Sequence, residues 1–203
     1  MKTHSFFHFL LIAVIAGAIA GAGTTYLLGV ERLKNTDRLI EEFYAIENAV
    51  YVSPHGIRKQ MGEPKVLLVD LRSQEEYETA HVIGAVNIPA YKDPNTSAYG
   101  DVERIVGSFK ELIKENPNKD VVVYCYSMPC MTGRKIGLML SEHDIYVKHL
   151  GIGWSEWRYY WNLWNHDGEK KVNPTDYIAT GKEPGVFIGE GGEACPLGGD
   201  FGC

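Results

Sequence analysis

Positive charge is what this chain has little of. Its 20 Lys and Arg stand against 26 Asp and Glu, for a net charge of −6. No basic stripe is present that would neutralise a phosphate backbone, so nucleic acid is set aside as a partner. Cysteine is scarce as well. Four in 203 residues are too few to staple a small disulfide scaffold. They form two pairs, Cys125 with Cys130 and Cys195 with Cys203, five and eight positions apart. Common zinc ligands are spaced by roughly two to four residues, so no metal site is expected. No internal repeat is visible. With 45% hydrophobic and 23% charged residues, the composition is that of one globular domain with appendages.

Formal charge is missing altogether from Phe6 to Val30, a run of 25 residues. About 20 apolar residues cross a bilayer, so residues 6–30 are read as a membrane contact and residues 1–30 as a signal anchor. Ala18-Ile19-Ala20 offers a small-residue cleavage site, and cleavage near Ala20 would leave an exported soluble form. The apolar run continues through Tyr26-Leu27-Leu28-Gly29-Val30, which favours the uncleaved anchor. Arg32, Lys34 and Arg38 after the segment would keep the C-terminal side in the cytoplasm. The short polar lead and the Ala-x-Ala pattern argue for export instead, and the expectation is an extracytoplasmic (periplasmic) soluble part.

Residues 31–50 carry Leu39, Phe43, Ile46 and Val50 at helical steps, which predicts a helical connector capped at Asn35 or Thr36. Over residues 51–165, short apolar runs alternate with amphipathic stretches. Val66–Asp70 and Val121–Tyr124 read as strands buried on both faces. Residues 101–115, with Ile105, Phe109, Leu112 and Ile113 in one stripe, and residues from Thr132, as a cap, to about Ser141 read as helices. Residues 90–100 read as a loop, Tyr146–Leu150 as the last strand, and 154–164 as one helix holding all four tryptophans. These are read as core, with the membrane interface as the alternative. The alternation predicts an α/β fold, a parallel sheet with helices on both faces. Residues 166–203 are Gly-rich and aperiodic, and predict an irregular tail holding Cys195 and Cys203. A local disulfide that pins the tail is expected there, against a second exchanging dithiol.

In α/β sheets ligands bind beyond the carboxyl ends of the strands. Cys125 stands at such an end, before a helix. Loop amides and the helix N-terminus favour a thiolate there. Arg134 adds fixed positive charge.

The stretch from 66 to 89 contains Asp70-Leu71-Arg72, Glu76-Tyr77, His81-Val82-Ile83-Gly84-Ala85 and Asn87-Ile88-Pro89. It resembles the signature of the rhodanese family. Val121–Cys125 resembles that family's strand into its catalytic cysteine. Leu150-Gly151-Ile152-Gly153, followed by Trp154 and Trp157, resembles its closing turn. The resemblance covers about residues 50–165. It implies a sulfurtransferase: Cys125 takes the outer sulfur of thiosulfate or a similar sulfur-containing anion, holds it as a persulfide, and passes it to a thiol acceptor, with no metal or organic cofactor. The loop would bind the substrate through Tyr126, Ser127, Met128, Met131, Thr132 and Gly133 and stabilise the departing anion. Arg134 and Cys130 would assist catalysis. Asp70 and Arg72 would pair locally as structural support, and His81 would sit hydrogen-bonded at a turn.

Two departures qualify the resemblance. Ala80 replaces the glycine usual before His81. Seven residues separate Cys125 from Gly133, a longer loop than the common active form has. Arg134 stands nine positions after Cys125, which fits the related dual-specificity phosphatases poorly. Cys130 has four open readings: a plain loop residue, a resolving thiol, a disulfide partner of Cys125, or the nucleophile. Cys125 is preferred as nucleophile because it ends the strand. The alternatives to transfer are a disulfide or polysulfide redox protein using this pair, and a non-catalytic binding module.

Overall fold

A computed structural model describes residues 2–61, 65–165, 168–169 and 171–189. The chain divides into two units, residues 1–48 and 49–203. The first unit is helical. Helix α1 (Lys2–Val50) runs without a break at Asn35 or Thr36, where a cap was expected. Those side chains turn to local partners instead: Thr36 donates to the carbonyl of Arg32, and Asn35 accepts from Arg38. By length and composition this helix can cross a membrane.

The second unit holds β1 (Tyr51–Val52), α2 (Pro54–Lys59), β2 (Val66–Asp70), α3 (Gln74–Thr79), β3 (His81–Val82), β4 (Val86–Asn87), β5 (Tyr91–Asp93), β6 (Thr96–Ser97), α4 (Val102–Glu115), β7 (Asp120–Tyr124), α5 (Thr132–Ser141), β8 (Lys148–Leu150), α6 (Trp154–Tyr159) and β9 (Ile178–Ala179). Five strands form a parallel sheet in the order β1-β8-β7-β2-β4. The central pair, β2 and β7, runs in register from Val66 opposite Asp120 to Asp70 opposite Tyr124.

Strand alternation sorts the core into two faces. Leu68, Val122, Tyr124 and Leu150 point to one side, against Ile57, Trp154, Trp157, Trp164 and Tyr177. Val69, Val121, Val123 and Cys125 point to the other, against Ile105, Phe109, Ile136 and Leu140. Cys125 thus continues the buried valine face of β7. Its place on the face covered by α4 and α5 follows from its parity in the strand.

A buried polar network ties the strand ends together. Arg72 pairs with Asp70 at 2.6 Å and donates to the carbonyl of Ala80, and its guanidinium lies 4.3 Å from the Trp154 ring. Tyr124 donates to Asp70 and accepts from the amide of Val82. Burial, then the Asp70 carboxylate, pushes the Tyr124 hydroxyl pKa well up, so it stays a donor. Ser73 and Glu76 form a capping box on α3. His81 is wholly buried, bonds the Tyr77 carbonyl and stacks on the Tyr77 ring, the structural role expected of it.

Several local expectations need correction. Residues 90–100 hold a hairpin, with Tyr91 paired to Ser97; its polar composition hid two part-buried tyrosines. The last sheet strand starts at Lys148, since Tyr146 is 76% exposed. The tryptophan helix ends at Tyr159 and continues as a 3-10 turn over Trp161–Leu163. Trp154, Trp157 and Trp164 are core residues. The described part of the tail is ordered against the domain. There β9 pairs antiparallel with β3, and Phe187 packs on the first face. Cys195 and Cys203 lie outside the described residues.

Candidate functional site

The loop from Tyr126 to Met131 joins β7 to α5, beyond the carboxyl edge of the sheet. The turn before α6 holds its start. The amide of Trp154 donates to the Cys125 carbonyl and that of Ser155 to the Tyr126 carbonyl, both at 2.8 Å. The Glu156 carboxylate accepts from the amides of Gly153 and Met128. Gly153 is required by contact: a Cβ there would lie 2.2 Å from the Ser127 nitrogen. The loop then turns back on itself, with the Cys130 amide donating to the Ser127 carbonyl.

This turn brings the two sulfurs together. Cys125 and Cys130 are free thiols with Sγ atoms 3.3 Å apart. Cys125 is 2% exposed, whereas Cys130 is half-buried. At that distance one sulfur ionises and the other keeps the shared proton. The hydrogen bond shared with Cys125 pulls the Cys130 pKa down to about 5; the Thr132 hydroxyl and the amides of Thr132 and Tyr126 help, against burial. The same hydrogen bond, then burial, pushes the Cys125 thiol up. The strand-end position favours Cys125 as nucleophile; Cys130 is the more accessible of the two sulfurs.

Thr132, expected as the cap of α5, is its first residue, and its hydroxyl faces the site. It lies 3.3 Å from Cys130 Sγ and 2.7 Å from both the Tyr91 and Tyr99 hydroxyls, which are themselves 3.0 Å apart. Nothing in the sequence pointed to these tyrosines, because the hairpin was read as loop. Tyr126 donates to Glu76 and meets the Tyr91 ring edge-on. Met128 and Met131 are 55% and 53% exposed on either side of Cys130, Ser127 is half-buried, and Gly133 is buried.

Arg134, whose reach to the sulfurs the sequence leaves open, turns to the loop backbone. It donates to the carbonyls of Met128 and Cys130 and to the Tyr51 hydroxyl. It clamps the loop rather than bonding to either sulfur. His149 on β8 was missed entirely. It is 6% exposed, its Nδ1 donates to the Leu150 carbonyl, and its Nε2 has no hydrogen-bond partner among the described residues. Burial lowers its pKa, and it stays neutral. It packs against Gly133, where a Cβ would come within 2.2 Å of Nε2, so Gly133 serves close packing at the helix start. Asp70 and Arg72 support the sheet below the loop.

A family model described as the rhodanese-like domain matches residues 53–159. The chain belongs to the rhodanese-like domain family. Among curated relatives, this rhodanese-like chain is 31% identical over 101 residues to an HTH-type transcriptional regulator of Mycobacterium tuberculosis, covering 50% of this chain and 37% of that protein. It is 23% identical over 172 residues to a tRNA uridine(34) hydroxylase of Salmonella arizonae, covering 79% and 40%. The chain therefore spans well under half the length of these relatives. Among solved structures, a Bacillus halodurans protein is 20% identical with a TM-score of 0.47, over 72% of this chain and 88% of that one. A structure described as rhodanese with anions from E. coli is 26% identical with a TM-score of 0.29, over 43% and 85%.

Proposed function

We propose that this rhodanese-like protein is a sulfurtransferase that accepts sulfane sulfur from thiosulfate or a similar anion on the Cys125–Cys130 pair. The observation that carries the reading is a pair of free thiols with Sγ atoms 3.3 Å apart beyond the carboxyl end of β7, one of them, Cys130, only half-buried; the contact between them favours a thiolate on Cys130. Its attack on the outer sulfur of thiosulfate forms one S–S bond, breaks another, and releases sulfite. Negative charge is conserved, so the step needs no general acid. Thr132, backed by Tyr91 and Tyr99, supports the sulfur that takes up the charge, and Arg134 holds the loop in the shape that aims it.

Residues 6–30 anchor the protein in a membrane, with the catalytic unit on the extracytoplasmic side and a thiol as acceptor. The apolar length of α1 supports the anchor.

The test is to mix the reduced full-length chain with thiosulfate. Sulfite release, with one sulfur atom added at or passed on from the 125–130 peptide, is expected. Cys130→Ser should abolish sulfite release. Absence of sulfite from the wild type, with thiosulfate and polysulfide alike giving no reaction, would sink the reading.

A further inference from the structure

A persulfide that serves only as a carrier is best isolated from other thiols. Here a second thiol is built in at 3.3 Å. Cys125 is fixed on the strand end by the Trp154 amide, and Cys130 is folded onto it by the turn through Ser127. The pair faces a short reach: a disulfide needs the sulfurs to close by about 1 Å more, within the travel of a loop side chain. Cys125 itself is 2% exposed, which suits a thiol that reacts with its neighbour and poorly suits one that meets an external acceptor.

We propose, resting on the sulfurtransferase reading, that the persulfide on Cys130 is resolved internally by Cys125, so that the protein reduces sulfane sulfur to sulfide. The Cys125 sulfur attacks the inner sulfur of the Cys130 persulfide anion. A Cys125–Cys130 bond forms, the inner-to-outer sulfur bond breaks, and the outer sulfur leaves with the bond's electron pair. The Cys125 proton passes to it, giving hydrosulfide. The sulfane sulfur is reduced by two electrons, and the two cysteines are oxidised to a disulfide. With thiosulfate as donor, one sulfite and one hydrosulfide leave for each dithiol oxidised, and charge and protons balance. Thr132, at 3.3 Å from Cys130 Sγ and bonded to Tyr91 and Tyr99, places a rotatable hydroxyl beside the sulfur that bears the persulfide. Turnover then requires an external dithiol reductant, so a thiol–disulfide exchange reaction must follow in the sequence.

The experiment is a single turnover of the full-length chain in detergent, reduced, freed of reductant and mixed with thiosulfate without air, cyanide or added thiol. Sulfite, sulfide and intact mass are read together. The expected result is equal sulfite and sulfide, one each per chain, with the 125–130 peptide two hydrogens lighter. In Cys125→Ser, whatever its own yield of sulfite, the sulfide released per sulfite should fall at least about tenfold, because the intramolecular thiol is lost, and the sulfur should remain on the Cys130 peptide. If the wild type releases sulfite but keeps the sulfur and yields no sulfide, internal resolution is wrong and the transferase reading stands. If neither thiosulfate nor polysulfide gives any product, both fall. The wild-type stoichiometry decides the matter even where the variant folds poorly.

Discussion

The acidity of Cys130 comes from what surrounds it. The Cys125 hydrogen bond lowers its pKa most, with Thr132 next among the lowering contacts. Because the depressed pKa is about 5, the thiolate persists above that pH and is lost as pH falls through it. Alkylation of Cys130 by a neutral reagent, followed by peptide mapping, should therefore be nearly flat from pH 6 to 8. An ordinary thiol with a pKa of about 8.5 would rise by roughly tenfold per pH unit below that value. A steep rise across the range would remove the electrostatic basis of the site. Thr132→Val tests the hydroxyl cluster by keeping shape and removing one donor. The midpoint of the alkylation profile should move upward, and the reaction at pH 6 should slow, while the melting temperature changes little at a site whose packing is kept. An unchanged midpoint would leave the Thr132–Tyr91–Tyr99 cluster with a packing role alone.

At the scale of elements, the loop after β7 is shaped by its neighbours more than by its own sequence. The turn into α6 holds it through Trp154, Ser155 and Glu156, and Gly153 lets the two backbones touch. Gly153→Ala places a methyl on the Ser127 backbone, which cannot rotate away. We expect a loss of about 1–3 kcal/mol in denaturant unfolding, the cost of overpacking, together with loss of sulfite release. A variant with wild-type stability and activity would show that the loop approaches Gly153 less closely than 2.2 Å implies. Legibility differed between elements for a physical reason. The strands β2 and β7 announce themselves because a strand covered on both faces must be apolar throughout. The hairpin β5–β6 is exposed along most of its length, so hydrophobic periodicity gives no sign of it, although it carries Tyr91 to Thr132.

At the scale of the whole molecule, the two-cysteine rhodanese-like domain and the apolar N-terminus belong to separate units of one chain. Helix α1 carries exposed Phe9, Leu10, Leu11, Ile12 and Val14, a surface that water solvates poorly. The full chain should stay in the pellet when membranes are washed at alkaline pH, and a chain lacking residues 1–30 should be released. Release of the full chain would refute the anchor. What the sequence determined by itself is local and periodic. Buried strands, an apolar segment of bilayer length, and a cysteine at a strand end before a helix are all legible because each depends on residues adjacent in the chain. The family motif from Asp70 to Pro89 belongs with them, since its residues form one continuous stretch. Only the tertiary structure brought the two sulfurs within 3.3 Å of each other and set beside them a hydroxyl backed by a distant hairpin. It also placed Arg134 on the loop carbonyls, a point the sequence leaves open, and set His149 against Gly133. These relations join residues far apart in sequence, and distance in space, which governs hydrogen bonding and desolvation, is what a linear pattern does not carry.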